Sequence, residues 1–359
     1  MIKRKELALH KELHEMNRLT IKDIAKEAGV STAAVSFALN KRPGVSPATR
    51  QKILETAERI GWAPNSRAQS LSLAKADAVG LFIARQPDSF DSERFFFNFI
   101  VGVQSTLTAS NYDLVFHTGP DLDAELATYR KWWAQGRVDG VVVVDPRAGD
   151  PRLTVLKELS IPAVVVGAQV PDTACIATDE GGLVRALAQH LLERGARTIG
   201  YVPGLSSLIH TQERIAALRE FGEQHGVHVE ISKGTNATEE AGYEAVQKFL
   251  AAPAELPIDG LLFDNEILAL GGMSALRSAG VKVGREVLVC SCEDSPVCRV
   301  VKPAITAAHR EPSDLGEHAA RLLLEVLGGH APHTVLEQNV PIIARGSTKG
   351  IRAAGARAR

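Results

Sequence analysis

The pattern of apolar and polar positions over residues 20–61 predicts three short helices. Thr20 is a suitable N-cap, and Asp23 follows it at the spacing of a capping box. The first helix is therefore expected to span Ile21–Ala28. Gly29 comes next, and glycine readily takes the left-handed conformation that ends a helix.

Two further helices follow from the same signals. Ser31 can cap a second helix that reaches about Leu39, with Val35 and Leu39 on one face at i, i+4. A third helix starts at Ser46–Pro47, because proline suits the first helical position, and it ends at Gly61. Its apolar stripe consists of Ile53, Leu54, Ala57 and Ile60. The segment as a whole predicts a small all-α head.

Residues 62–76 differ from the segments on either side. The string WAPNSRAQSLSLAKA is small and polar and contains a single proline, Pro64. This composition predicts a linker that is able to form one short helix beginning at that proline.

From residue 78 onward, short β-branched runs alternate with helix-period segments such as LVRALAQHLLERG and EEAGYEAVQKFLAA. The runs are AVGLFIA, YDLVFHT, VDGVVVV, IPAVVVG, RTIGYV, VHVEI, IDGLLF and EVLVCS. Runs that are apolar throughout predict strands buried on both faces, and hence parallel βαβ units. So many strands suit two parallel sheets side by side, an α/β core of two lobes. A binding crevice is expected between the lobes, at the carboxyl ends of the strands.

Size and composition agree with several soluble domains. A chain of 359 residues is too long for one ordinary core, so two or three domains are expected. No apolar run approaches the roughly 20 residues that span a bilayer. The first twenty residues are charged throughout and lack the apolar stretch of a secretory signal. We therefore expect a cytoplasmic protein with no membrane partner.

The net charge of −1 hides an asymmetry along the chain. Residues 1–75 hold 14 basic and 7 acidic side chains, whereas the rest holds 27 basic and 35 acidic ones. A head of charge +7 on a body of charge −8 favours a polyanion as the partner of the head.

Metal, cofactor and catalytic motifs are missing from the pattern. Cys290, Cys292 and Cys298 are close in sequence, but no second pair or histidine stands at zinc-ligand spacing. Together with Cys175 they are interpreted as inert, reduced thiols, so no metal is expected, with zinc ligation as the alternative. No GxGxxG follows the first strand and no GxxxxGK[ST] occurs, so neither a cofactor nor an enzymatic activity is expected.

The string LTIKDIAKEAGVSTAAVSFALNKRPGVSPATRQKILETAERIGWAPNSRAQSL closely resembles the DNA-binding head of the lactose-repressor (LacI) family. The resemblance continues through IPAVVVG, DEGGLVRALAQHLLERGARTIGYV, NEILALGGMSALRSAGV and VPIIARGST, and it covers residues 19–348. It implies a helix-turn-helix head, a hinge helix, and a core that resembles periplasmic sugar-binding proteins. Members of the family are usually dimeric or tetrameric.

In this family the second helix of the head reads the DNA bases. With Val35 and Leu39 turned inward, the side chains left facing outward are Thr32, Ala33, Ser36, Phe37 and Asn40. The resemblance implies that Thr32, Ala33 and Phe37 contact bases in the major groove. Phe37 cannot make a bidentate contact to guanine, so apolar contact with a thymine methyl is expected. Packing of Phe37 into the core of the head is the alternative.

Polar side chains around this helix are candidates for contacts to the DNA backbone, which hold the register without reading sequence. These DNA-binding candidates are Thr20, Ser31, Ser36, Asn40 and Arg50. An ordinary surface role is the alternative for each of them.

In the linker, Leu71 matches the family's minor-groove leucine, whose apolar side chain wedges between base pairs and kinks the duplex. Leu73 in this role, or simple packing of both, is the alternative. Asn65, Arg67 and Ser70 would flank Leu71 on the DNA backbone. Because two hinge helices insert together, the resemblance implies a homodimer on a palindromic operator.

The expected domain boundaries follow from the same resemblance. They are an extension without fixed structure at 1–15, a head at 16–61, a linker at 62–76, a core at 77–348 and a tail at 349–359. Within the core, the N-lobe is expected over about 77–167 and 306–332, and the C-lobe over about 168–305 and 333–348.

The resemblance also implies an effector pocket in the core. Phe95 and Phe96 stand at the family's usual aromatic pair, with burial of one ring in the core as the alternative. Arg214, in TQERIAAL, matches the effector-binding arginine, whose fork can hold vicinal hydroxyls or a carboxylate. An exposed helix arginine is the alternative there. Glu266 stands where the family commonly has aspartate.

Two further positions bear on specificity. Asp264 is a neighbouring candidate for effector binding, although it can instead orient the loop. Gly167 replaces the aspartate that often follows the corresponding strand, so a usual ligand contact is missing. The sequence therefore predicts a homodimeric repressor, with a tetramer as the alternative, controlled by a sugar or related metabolite. A solute-binding protein or an enzyme on the same core is the competing hypothesis.

Overall fold

The computed structural model describes residues 19–40, 42–62, 75–85, 94–252, 257–337 and 340–350. The chain divides into two compact units, Met1–Lys75 and Ala76–Arg359. The expected extension at 1–15 and the linker residues Asn65, Arg67, Ser70, Leu71 and Leu73 lie outside the described residues. Among the helices described, none is both long and apolar enough to cross a membrane.

The described part of the first unit consists of three helices, α1 (Ile21–Ala28), α2 (Thr32–Leu39) and α3 (Pro47–Arg59). The predicted start signals are confirmed. The Asp23 carboxylate accepts hydrogen bonds from the backbone N–H and the hydroxyl of Thr20, both at 2.7 Å. Gly29 ends α1 in the left-handed region, at a φ of 68°.

The caps of α2 and α3 were also predicted correctly. Ser31 Oγ accepts from the N–H of Ala34 at 3.1 Å, and Ser46 Oγ accepts from the N–H of Thr49 at 3.2 Å. Each cap pairs a backbone donor that the first turn of a helix leaves unsatisfied.

The core of the head corrects one predicted position, Leu54, and adds Ala38. It is formed by Ile24, Ala25, Ala28, Val35, Ala38, Ile53 and Ala57. Ala38 is therefore the buried partner of Val35, while Leu39 is half-buried at the edge. Leu54, placed in the apolar stripe of α3, is 42% exposed. Successive residues of a helix are rotated by about 100°, and in α3 this turns Leu54 away from the core that Ile53 enters.

The described part of the second unit alternates strands with helices. The strands are β1 (Ala78–Ala84), β2 (Asp113–Gly119), β3 (Gly140–Val143), β4 (Ala163–Val166), β5 (Ala174–Thr178), β6 (Thr198–Val202), β7 (His228–Ile231), β8 (Gly260–Phe263), β9 (Leu288–Ser291), β10 (Thr306–Ala308), β11 (Thr334–Glu337) and β12 (Ile342–Ile343). The helices are α4 (Arg94–Ala109), α5 (Leu122–Gln135), α6 (Pro151–Glu158), α7 (Glu180–Glu193), α8 (Ile209–His225), α9 (Glu239–Ala251), α10 (Glu266–Ser278), α11 (Pro296–Val300) and α12 (Pro312–Leu327), with a 3₁₀ turn at Gly346–Thr348.

These strands form two six-stranded sheets, as the apolar runs predicted. The order is β11-β5-β4-β3-β1-β2 in the first lobe and β12-β10-β9-β8-β6-β7 in the second. Every pairing is parallel except that of β10 with β12. The strand β2 is an exception to the prediction of strands buried on both faces, because it lies at a sheet edge and its residues are partly exposed.

The lobe boundaries expected from the sequence are wrong in three places. The segment 168–305 was assigned to the second lobe, but β5 is a strand of the first sheet. The segment 306–332 was assigned to the first lobe, yet β10 belongs to the second sheet. The segment 333–348 was assigned to the second lobe, but β11 belongs to the first sheet. The chain therefore passes between the lobes after β5, after β10 and after β11, and each sheet is completed by a late strand.

Candidate functional site

The outward face of α2 carries the residues expected to read bases. Thr32 and Ala33 are exposed at the start of the helix. Phe37 is 37% exposed and its ring lies beside Gly44, so it does not belong to the buried core of the head. Ser36 is half-buried and Asn40, which caps the helix, is exposed. The α2 helix thus presents a mixed polar and apolar surface, which is the kind that contacts base edges.

Four of the expected backbone-contacting residues are engaged within the head itself, Thr20 and Ser31 in the caps of α1 and α2, and Asn40 and Arg50 at the end of α2. Asn40 Nδ2 donates to the carbonyl oxygen of Ser36 at 2.9 Å. Arg50 donates to the carbonyl oxygens of Ala38 at 2.9 Å and Arg42 at 2.7 Å. Because the last carbonyls of a helix lack backbone partners, Arg50 stabilises the end of α2 and ties it to α3. We interpret Arg50 as a residue that positions α2.

The first cavity of the second unit is a solvent-open crevice of about 780 Å³ at the carboxyl ends of strands from both sheets. Its walls include residues that follow β1, β3, β4 and β5 in the first lobe, and β6, β8 and β9 in the second. The lobes also touch here, since the N–H of Ile209 donates to the carbonyl oxygen of Pro146 at 3.0 Å. This is the location that the strand pattern predicted for a binding crevice.

Both expected aromatic residues line this cavity. Phe95 and Phe96 meet edge to face, with their ring centroids 5.5 Å apart. The guanidinium carbon of Arg85 lies 4.9 Å from the centroid of the Phe96 ring, a cation–π contact. Phe96 also belongs to the buried core of the first lobe, whereas Phe95 is only partly buried.

Arg214 is not an exposed helix arginine. It is 2% exposed, and its Nε donates to Glu180 at 2.8 Å while Nη1 donates to Asp264 at 2.6 Å. Arg310 pairs with the same Glu180 carboxylate at 2.7 Å. Although burial opposes ionisation, Arg214 and Arg310 hold the pKa of Glu180 well below its ordinary value. The carboxylate is therefore charged at neutral pH, within a buried network.

A second ion pair lies on the first-lobe side of the cavity. Arg85 donates to both carboxylate oxygens of Asp145, at 2.8 and 3.0 Å. Despite burial, this pairing lowers the pKa of Asp145. Burial and the nearby Arg214 charge lower the pKa of His210, so this ring is neutral at pH 7. Asp145 has a φ of 52°, an uncommon value for a residue other than glycine and one often found at functional sites.

The structure separates Glu266 from the other effector candidates. Asp264 and Gly167 line the first cavity with Arg214. Glu266 is buried but lines a second cavity, a solvent-open space of about 700 Å³. At Gly167 a Cβ atom would approach only Pro146, at 3.7 Å, so this wall is open where the family's aspartate is missing.

The sequence analysis missed six charged or titratable residues of the first cavity: Arg85, Asp145, Glu180, His210, Glu293 and Arg310. Asp145 directly follows a predicted strand and was recognisable by that position. Glu180 follows β5, which was not predicted as a strand, so its place at a strand end was hidden.

The four cysteines are buried free thiols. Burial raises the pKa of Cys292 to about 12 and that of Cys298 to about 11, so both are protonated at neutral pH. No group of three or more His, Cys, Asp or Glu in the described ranges is arranged to hold a metal ion.

Comparison with known proteins gives a consistent pattern. The sequence profile of bacterial regulatory proteins, lacI family, matches residues 20–65, and that of the periplasmic binding protein-like domain matches residues 188–348. The HTH-type transcriptional regulator AglR of Rhizobium meliloti is 30% identical over 321 residues, covering 87% of this chain and 88% of that relative. The HTH-type transcriptional repressor PurR of Mannheimia succiniciproducens is 28% identical, covering 92% of this chain and 99% of that protein.

Solved structures agree with the fold. The transcriptional regulator CelR in complex with cellobiose is 25% identical, with a TM-score of 0.69, and the match covers 92% of this chain and all of that one. The lac repressor dimer bound to operator and an anti-inducer has a TM-score of 0.78 at 21% identity, over 92% of this chain and 99% of that one. At this identity, the likeness to the lac repressor shows a shared fold.

Proposed function

The chain belongs to the lacI family of bacterial regulatory proteins, and we propose that it represses transcription by binding a palindromic operator as a homodimer. It is a DNA-binding transcriptional regulator. The observation that carries the proposal is the exposed face of α2, where Thr32, Ala33 and Phe37 stand clear of the buried core of the head. Because DNA is its partner, we infer that the protein works in the cytoplasm.

Recognition on this face combines hydrogen bonding with apolar contact. The Thr32 hydroxyl can bond a base edge or touch a thymine methyl, while Ala33 and the Phe37 ring offer apolar contact only. The positive charge of residues 1–75 supplies attraction to phosphates that is independent of sequence. On this proposal, Thr20, Ser31, Ser36 and Asn40 contact the DNA backbone.

The first cavity would bind the small molecule that controls operator affinity. Walls from both lobes mean that a ligand stabilises one lobe arrangement over another. Linkage then requires operator DNA to change ligand affinity by the same factor. Phe95, Phe96, Arg214 and Asp264 are the proposed effector-binding residues of this cavity. The CelR–cellobiose structure supports a sugar as the class of ligand.

The test is selection of duplexes from a random library by the full-length chain, followed by binding titrations on a selected and a scrambled duplex. Specific affinities are typically 10³-fold or more above non-specific ones. Phe37→Ala should weaken binding to the selected duplex about tenfold and leave the scrambled duplex nearly unaffected. Leu54→Ser, at an exposed position of α3, is the matched control. Equal affinity of the wild type for both duplexes would contradict the proposal.

A further inference from the structure

The ring of Phe37 lies against the turn that follows α2. A Cβ atom added at Gly44 would stand 3.1 Å from Cδ2 and 3.3 Å from Cε2 of Phe37, which is closer than the roughly 3.5–4.0 Å at which carbon atoms make their best contact. A residue with a side chain at position 44 would therefore push the ring aside. One edge of the ring is covered by the turn, while 37% of Phe37 stays exposed.

The same turn also holds the backbone of Phe37. The carbonyl oxygen of Phe37 accepts hydrogen bonds from the N–H of Arg42 at 2.9 Å and from Arg50 Nη1 at 3.3 Å. Arg50 Nη2 donates in turn to the carbonyl oxygen of Arg42, at 2.7 Å. Both the ring and the carbonyl group of Phe37 are thus fixed against residues 42–44, so the end of α2 and the turn form one unit.

Gly44 differs from the other glycines of the head. Its φ of 114° is a conformation that residues with a side chain rarely adopt. Gly29 and Gly61 also have positive φ values, 68° and 71°, but a Cβ atom at either of them would meet no atom within 4 Å. Among the three glycines in the described part of the head, Gly44 alone has another side chain where its own Cβ would be.

A ring that is held in this way is suited to distinguish a thymine methyl group. Apolar contact has no preferred direction, unlike a hydrogen bond, so it discriminates between bases only when the apolar group is fixed in place. A side chain that already lies against the backbone also loses less conformational entropy when DNA binds. The support of the Phe37 ring is therefore part of base recognition.

We propose that Gly44 is a positioning residue for operator recognition. Because it has no side chain, it lets the Phe37 ring lie against the turn after α2, in the orientation that contacts a thymine methyl group. This rests on the proposed function, in which Phe37 contacts a base. Gly44 touches no base itself and acts through Phe37. The specificity of the head then depends on two positions, and one of them lies outside α2.

The test is a methyl scan of the selected duplex with the full-length chain. Each thymine is replaced in turn by deoxyuridine, which lacks only the 5-methyl group, and the affinity is measured by titration. Burial of one methyl group is worth about fourfold in affinity, so we expect a loss of that size at the thymine that Phe37 contacts. Phe37→Ala should abolish this loss and leave the response of the other thymines unchanged.

Gly44→Ala should reduce the loss at that one thymine to less than about twofold, because the added Cβ displaces the ring. Gly61→Ala is the matched control, since it places a Cβ at a positive φ in open space, and it should keep the fourfold loss. In the Phe37→Ala background, Gly44→Ala should cause no further change in the scan. A purely structural role of Gly44 would instead change the response of every thymine.

Phe37→Leu tests the same contact without any change to the backbone at position 44. Leucine is apolar but has no counterpart of Cε2, one of the two ring atoms beside Gly44, so the loss should again fall below about twofold. If Gly44→Ala no longer binds even the scrambled duplex, Phe37→Leu decides.

The inference is overturned if Phe37→Leu or a folded Gly44→Ala protein keeps the full fourfold loss. It is also overturned if no thymine of the selected duplex changes its response in Phe37→Ala. In either case a duplex has been selected, so the DNA-binding function stands and only the role of Gly44 is wrong. If no duplex is selected at all, the proposed function fails together with the inference.

Discussion

Two buried arginines of the second unit, Arg152 and Arg214, each bind a pair of buried carboxylates, but the two clusters lie in different places. Arg152 donates through Nε to Asp150 at 2.9 Å and through Nη1 to Glu125 at 3.1 Å, and Tyr129 donates to the same Glu125 carboxylate. Arg214 also binds two carboxylates, and it is equally buried, at 2% exposure. The chemistry of the two clusters alone therefore does not tell which of them binds a ligand.

Their surroundings differ. The Arg152 cluster lies within the first lobe, and Arg152 also donates to the carbonyl oxygens of Val144 and Asp145, at 2.9 and 2.8 Å. It fixes the loop after β3. The Arg214 cluster joins α8 to Glu180 and, through Glu180, to Arg310. Glu180 and Arg310 lie just after β5 and β10, at two of the places where the chain passes between the lobes. We therefore propose, from its position relative to the lobes and not from the ion pair as such, that the second cluster is the one coupled to ligand binding and lobe movement.

The largest effect is expected from Arg152→Met. Removing the guanidinium leaves Asp150 and Glu125 buried without a cation, and such a loss typically costs about 3–5 kcal/mol. Urea unfolding of the full chain, followed by circular dichroism, measures the free energy of unfolding. Arg130→Met, at an exposed position of the same α5 that carries Glu125, should change it by less than about 0.5 kcal/mol. A near-neutral Arg152→Met would show that the cluster does not stabilise the lobe.

Arg214→Met should destabilise the chain less, by about 2–3 kcal/mol, because Glu180 keeps Arg310 as a partner. Operator binding without ligand should stay within about twofold of the wild type, whereas a small molecule that raises the melting temperature of the wild type should no longer do so in the variant. Collapse of operator binding in a folded variant would instead make Arg214 a structural residue, like Arg152.

The parts of the fold that could be predicted from the sequence are those that local patterns determine. The helices of the head and the paired parallel sheets follow from local signals, namely caps, helical spacing and apolar runs. Leu54 was misplaced because an apolar residue next to another apolar residue does not reveal which of them faces the core. The short strands β10 and β12, with three and two residues, carry too little pattern to be recognised.

The candidate site was only partly predictable for a related reason. Arg214, Asp264, Phe95 and Phe96 were found through the resemblance, and the structure brings all four to one cavity. Glu180 directly follows β5, a strand that the sequence analysis did not recognise. A pairing between residues far apart in sequence, such as Glu180 with Arg310, depends on the way the chain returns between lobes, which no local pattern contains.

The smallest expected difference between the two clusters is in how the stability that each contributes depends on pH. Glu180 has its pKa held well below the ordinary value, so the stability it contributes is complete above about pH 4.3 and is lost as pH falls through the folded value. Glu125 behaves in the opposite way. Burial raises its pKa in spite of Arg152, so the folded protein binds this proton more tightly than the unfolded chain does. Its contribution to stability increases as pH falls from the raised folded value towards about 4.3.

Urea unfolding of the wild type, Glu180→Gln and Glu125→Gln between pH 3.5 and pH 7 separates the two cases. The advantage of the wild type over Glu180→Gln should be constant above about pH 5 and shrink below about pH 4. Its advantage over Glu125→Gln should grow as the solution is acidified. Glu240→Gln, exposed on α9, reports the slope caused by removing one surface carboxylate. If both buried variants give slopes of the same sign, the two arginine clusters are electrostatically equivalent, and lobe position is all that distinguishes them.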